Sequence, residues 1–152
     1  KRNYCVYNRL TSAARGQGDV VMATINALLL VAAGGALGAS ARYGVSLALI
    51  NSAGRFPFAT LTVNILGSFL LGLLFAYSQH TAISEGWRLF LAVGGLGAFT
   101  TFSTFSVEVV ALLQQGELGK GLLHAGLNMI LCIAAVALAI VLMNHLLNLS
   151  VK

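Results

Sequence analysis

Charge is scarce in this chain. Asp and Glu together number four and Lys and Arg nine among 152 residues, 9% in all, against about 25% in a soluble globular domain. With 58% hydrophobic residues and a mean hydropathy of +0.87, there is too little polar surface to cover a water-facing fold, and the chain reads as an integral membrane protein. Cysteine is scarce too. Cys5 stands in a polar head and Cys132 deep in the last apolar run, so neither a disulfide framework nor a metal-ligand spacing is present. No phosphate-binding glycine loop, nucleophile–base pair or metal triad occurs, and the sequence does not read as an enzyme. The net charge of +5 does not point to nucleic acid either, because Lys1, Arg2, Arg9 and Arg15 sit in the first fifteen positions, outside the apolar part.

What the chain does have is length in apolar runs. A helix needs about 20 apolar residues to cross a hydrocarbon core of about 30 Å, and four such runs follow one another, near 25–50, 58–77, 87–113 and 122–147. One four-helix unit therefore fills residues 22–152. Residues 1–21 are a polar extension without the pattern of a cleavable signal; they read as a disordered tail or a non-native segment, with Met22 as the natural start. No internal repeat is visible, so any two-fold symmetry has to come from a second copy of the chain.

The first run carries Gly34 and Gly38 four apart, a spacing that lets two helices approach closely. Arg42 lies inside this run and is costly there unless it snorkels to the interface, pairs, or faces water in an anion-attracting vestibule. The turn Asn51–Pro57 holds the only proline and ends the run. In the second run Thr60, Thr62, Asn64 and Ser68 interrupt the apolar residues, and Asn64 shares a face with Ser68. The asparagine can be interhelical glue or a ligand group.

The third run opens at the interfacial pair Trp87 and Arg88 and contains the densest stretch of the chain, Gly94-Gly95-Leu96-Gly97-Ala98-Phe99-Thr100-Thr101-Phe102-Ser103-Thr104-Phe105-Ser106. Glycines followed by hydroxyls and aromatics predict a helix broken at membrane depth, which is tolerated only where the freed backbone groups find partners or line a cavity. Phe102 and Phe105 fall on one face, as packing or as something more. Glu108 is the one acid inside a run and is a functional candidate on that ground. In the fourth run His124, Asn128 and Cys132 follow at successive helical turns, a polar stripe that suits either a pathway or a helix contact.

Four blocks in order give the chain from Met22 onward a resemblance to the Fluc/CrcB family of fluoride channels. They are Gly34-Gly35 through Arg42-Tyr43, Thr60-Leu61-Thr62-Val63-Asn64 with Gly67, Thr100-Thr101-Phe102-Ser103-Thr104-Phe105-Ser106, and Asn128 with Cys132. The departures are Ala98, Phe99 and Cys132, where the family commonly has glycine, an aliphatic residue and a hydroxyl. The resemblance implies an all-α membrane protein of four transmembrane helices, the third broken near its middle, assembled as an antiparallel homodimer in the bacterial plasma (inner) membrane. It implies passive export of fluoride through pores at the dimer interface. Asn64, Phe102 and Phe105 would contact the ion, and Ser103 and Thr104 would line its path. Arg42, Glu108, Asn128 and Cys132 would lie in a vestibule or polar track. The carbonyls of Gly97 and Thr100 from both copies would hold one structural Na⁺.

Two other classes compete with this reading. A small multidrug/proton antiporter also has four spans but needs a carboxylate in the first, and here that run has none. A non-transporting membrane assembly subunit would leave the Asn64 and Thr100–Phe105 constellation without a purpose. Loop charges bear on orientation through the positive-inside rule. From Met22, Arg88 and Lys152 on one side balance Arg55 and Lys120 on the other, two against two. That balance predicts dual topology, whereas the four added cations of the head make it six against two and hold the N-terminus in the cytoplasm.

Overall fold

The structure, a computed structural model, describes the backbone of residues 2–50 and 56–150 and the side-chain surroundings of 20–50 and 56–148. Among the described residues the chain is wholly helical and without strands: α1 (Arg2–Ala48), α2 (Phe58–His80), α3 (Glu85–Trp87), a π-helix (Arg88–Leu96), α4 (Gly97–Phe99), α5 (Phe102–Gln114) and α6 (Leu118–Ser150). Helices are the only open-ended element that closes all its backbone hydrogen bonds internally, which lipid demands. Four stretches are long and apolar enough to cross a membrane: Val20–Ala48, Phe58–His80, Glu85–Gln114 and Leu118–Asn148. These coincide with the four runs read from hydropathy. The bounds of α1 take in most of the polar head, residues 2–21. Most of the turn expected over 51–57 lies outside the described residues, as do Lys1 and Lys152.

Two pairings build the bundle. α1 packs along the π-helix and α4, and α2 packs along α6, with α5 lying against α6. The first pairing is a backbone contact. A Cβ on Gly34 would strike the Phe90 carbonyl and one on Gly38 the Gly95 carbonyl, while one on Gly94 would crowd Val31 O. Glycine on both sides is what allows the two axes to come this close. The π-helix covers nine residues at this contact, longer than the single-turn bulges in which such geometry usually occurs.

The third span is broken at its middle. Thr100 and Thr101 are extended (φ −81°, ψ 159° and φ −153°, ψ 118°), and the helix restarts at Phe102. Thr101 caps the new helix, its hydroxyl accepting the Thr104 N–H at 3.2 Å, which satisfies one of the amides a helix start leaves open. Gly97, expected in the irregular part, has helical torsions instead (φ −62°, ψ −37°). The break therefore starts three residues later than the glycines suggest, at the hydroxyl pair, whose side chains can replace lost backbone partners where a glycine cannot.

Candidate functional site

The break is held from α2. Asn64, in the second turn of α2, accepts the Thr101 N–H on Oδ1 at 2.8 Å and donates from Nδ2 to the Thr101 carbonyl at 3.1 Å. One amide thus pairs with both backbone groups of one extended residue, as a strand neighbour would. Its second N–H goes to Asn128 Oδ1 on α6 at 3.0 Å. Both hydrogens of Asn64 therefore have protein partners here.

The same bonds explain the carbonyls at the break. In an unbroken helix the Gly97 carbonyl would take the Thr101 N–H and the Thr100 carbonyl the Thr104 N–H. Those two amides go instead to Asn64 Oδ1 and to the Thr101 hydroxyl. Gly97 therefore loses its helical partner although its own torsions are helical. Close packing seals this region, since a Cβ on Gly67 would strike the Thr100 methyl. A cavity of about 240 Å³ beside it is lined by Asn64, Gly67, Ser68, Thr101, Phe102 and Cys132, among others.

From Asn128 the polar contacts continue along α6. Its amide nitrogen lies 3.1 Å from the His124 carbonyl and 3.3 Å from His124 Nδ1. The His124 Nε2 faces Glu108 Oε2 at 3.3 Å, and the other carboxylate oxygen accepts the Thr60 hydroxyl of α2 at 2.7 Å. His124 is fully buried, 0% exposed, with its ring between Phe56 (centroids 5.5 Å apart) and Phe105 (5.3 Å). Phe105 in turn packs against Phe102 at 5.3 Å. Phe102 is 77% exposed, a large aromatic ring at mid-span with almost no cover from its own chain.

The model of the family described as CrcB-like protein, Camphor Resistance (CrcB), matches residues 29–140. The chain belongs to the CrcB family. Among CrcB relatives, the "Fluoride-specific ion channel FluC" of Idiomarina loihiensis is 63% identical over 123 residues, 78% of this chain and 95% of the relative. The protein of the same name from Shewanella amazonensis is 50% identical over 115 residues, covering 75% and 93%. The one from Saccharophagus degradans is 49% identical over 119 residues, covering 78% and 90%.

Within this CrcB chain the residues singled out from sequence fall into two groups. Asn64, Asn128 and Glu108 share one side-chain network, and Phe102, Phe105 and Cys132 border it, with Ser103 and Thr104 exposed at the start of α5. Arg42 stands apart, near the end of the first span, without an ion-pair partner among the described residues. Three members were undervalued by sequence reading. Thr60 looked like an interruption, His124 like part of a stripe, and Thr101 like one hydroxyl among several. The helix-start pattern Thr101-x-x-Thr104 was available as a capping signal; nothing in the sequence places Thr60 and His124 on the same carboxylate.

Proposed function

We propose that this chain is a fluoride-selective channel, not an enzyme, passing fluoride out of the cytoplasm by passive electrodiffusion through pores formed at the interface of an antiparallel, dual-topology homodimer in the plasma membrane. The name its relatives carry supplies the ion. The observation in this chain that supports the reading most is the helix break clamped by Asn64 beside the exposed ring of Phe102 and its half-buried neighbour Phe105.

Fluoride is small and strongly hydrated, and moving an anion into low dielectric costs tens of kcal/mol in the Born limit. Water has to be replaced by donors along the path. The edges of the Phe102 and Phe105 rings carry the positive part of the aromatic quadrupole, and the hydroxyls of Ser103 and Thr104 lie on the same turn. At Asn64 an arriving fluoride exchanges with Asn128 Oδ1 or the Thr101 carbonyl as acceptor, so binding displaces an existing bond and stays weak. Weak successive sites permit exit as well as entry. The exposure of Phe102 and an apolar groove lined by Leu37 of α1, Leu70 and Leu74 of α2 and Leu91 of the π-helix, among others, suit cover by a second copy, with lipid on the remaining faces. The Gly97 and Thr100 carbonyls, whose helical N–H partners are bound elsewhere, are hard oxygen donors fit for an alkali cation, and one Na⁺ shared by two copies would draw on both pairs.

Fluoride efflux from liposomes containing the purified dimer tests this reading. The wild type is expected to release fluoride, and Phe105→Ile, similar in bulk but without a quadrupole, to release it at least about tenfold more slowly while remaining a dimer. A wild-type chain impermeable to fluoride defeats the reading. Unchanged flux in a folded Phe105→Ile dimer makes the rings packing only.

A further inference from the structure

The polar contacts linking the break to Glu108 have only one consistent set of hydrogen positions, fixed from one end. A backbone N–H can only donate, so the Asn64 atom 2.8 Å from the Thr101 nitrogen is the carbonyl oxygen. That turns the Asn64 nitrogen toward α6, and the Asn128 atom 3.0 Å from it has to be the oxygen. The Asn128 nitrogen then points back along α6, onto the His124 carbonyl at 3.1 Å and Nδ1 at 3.3 Å. Facing an N–H donor, Nδ1 presents its lone pair, and the ring hydrogen sits on Nε2. Nε2 lies 3.3 Å from Glu108 Oε2, within ion-pair distance but outside hydrogen-bond geometry, and neither atom has a hydrogen-bond partner elsewhere. Flipping any one member would set donor against donor or acceptor against acceptor.

From this we infer that His124 is a positioning residue for conduction: as the neutral imidazole with its hydrogen on Nε2, it ties the Glu108 carboxylate to the Asn128 amide and thereby fixes which way the Asn64 amide faces the break and the pore. The inference rests on the reading of Asn64 as a pore group. It assigns three tasks to one ring. Nε2 holds Glu108 against Thr60. Nδ1 orders Asn128. The ring face, 5.3 Å from Phe105, backs the aromatic pair. The groups facing the imidazole are Glu108 and Phe105 from α5, Asn128 from its own helix and Phe56 from the segment before α2; Glu108 is the only titratable one among them.

Two measurements test it. In the wild-type dimer, ¹⁵N NMR of selectively labelled histidine, assigned by comparison with His124→Phe, is expected to show His124 Nε2 protonated and Nδ1 unprotonated at neutral pH; the opposite tautomer or a doubly protonated ring overturns the relay without reference to flux. In liposomes, His124→Phe keeps the ring between Phe56 and Phe105 but removes both nitrogens, and it is expected to slow fluoride efflux about tenfold, the size of one lost hydrogen bond. His124→Gln, whose amide can donate to Glu108 and whose carbonyl can accept from Asn128, is expected to recover efflux to within about threefold of wild type. Wild-type efflux from folded His124→Phe, or no recovery with a folded His124→Gln, overturns the positioning role. Wild-type efflux from Asn64→Ala instead brings down the pore reading and the conduction role with it, while the tautomer still reports whether the hydrogen-bond order is as stated.

Discussion

The two halves of the bundle are joined by opposite means. Where α1 meets the π-helix, side chains are absent: Gly34, Gly38, Gly94 and Gly95 bring backbone against backbone, and carbonyls occupy the space where a methyl group would stand. Where α2, α5 and α6 meet, side chains supply the contact, and Thr60, Glu108, His124, Asn128, Asn64 and Thr101 form one run of polar contacts across three elements. The first joint is specific through volume and indifferent to polarity. The second is specific through donor and acceptor placement. Only the second can respond to an ion, since a backbone contact sealed by close packing has no group free to exchange partners. The broken span belongs to both joints, held by shape before the break and by hydrogen bonds after it.

Substitutions that exchange the two logics break or sharpen this contrast. The largest effect is expected at the glycine joint. Gly38→Val has to displace the Gly95 carbonyl, and overpacking of this kind costs about 3 kcal/mol or more; the variant is expected not to accumulate as a monodisperse dimer on size-exclusion chromatography. Gly35→Val, three residues away, where a Cβ meets nothing within 4 Å, is expected to accumulate normally. Equal behaviour of the two would remove the volume argument.

A smaller loss is expected at the polar joint. Asn64→Leu preserves bulk but leaves the Thr101 N–H and carbonyl and the Asn128 oxygen without their partner. Orphaned buried groups cost about 1–3 kcal/mol, so a lowered thermal midpoint in detergent is expected together with lost fluoride flux. A variant as stable as wild type would mean that the break holds itself.

The smallest effect is expected at the cap. Thr101→Ala removes the acceptor for the Thr104 N–H and is expected to cost about 1 kcal/mol, whereas Thr101→Ser keeps the hydroxyl and most of the stability. Thermal melts of the pair measure the difference, and a midpoint for Thr101→Ala equal to that for Thr101→Ser would assign the helix start to something other than this hydroxyl.

Sequence alone determined the class, the number of spans and the location of the break to within a few residues, because each rests on a local property: hydrocarbon thickness sets the length of an apolar run, and a cluster of glycines and hydroxyls weakens a helix where it stands. It also marked Asn64, Glu108, His124 and Asn128, since a polar side chain at membrane depth is conspicuous by itself. Only the tertiary structure decided which of them meet. Glu108 and His124 are 16 positions apart, and Asn64 and Asn128 are 64 apart; pairings of that kind depend on the rotation of α2, α5 and α6 about their axes, which side chains across all three helices set jointly and no single stretch encodes. The shift of the break from Gly97 to Thr100–Thr101 has the same origin. Glycine makes a departure from helix cheap, but the Asn64 amide, arriving from another helix, determines where the departure is stable.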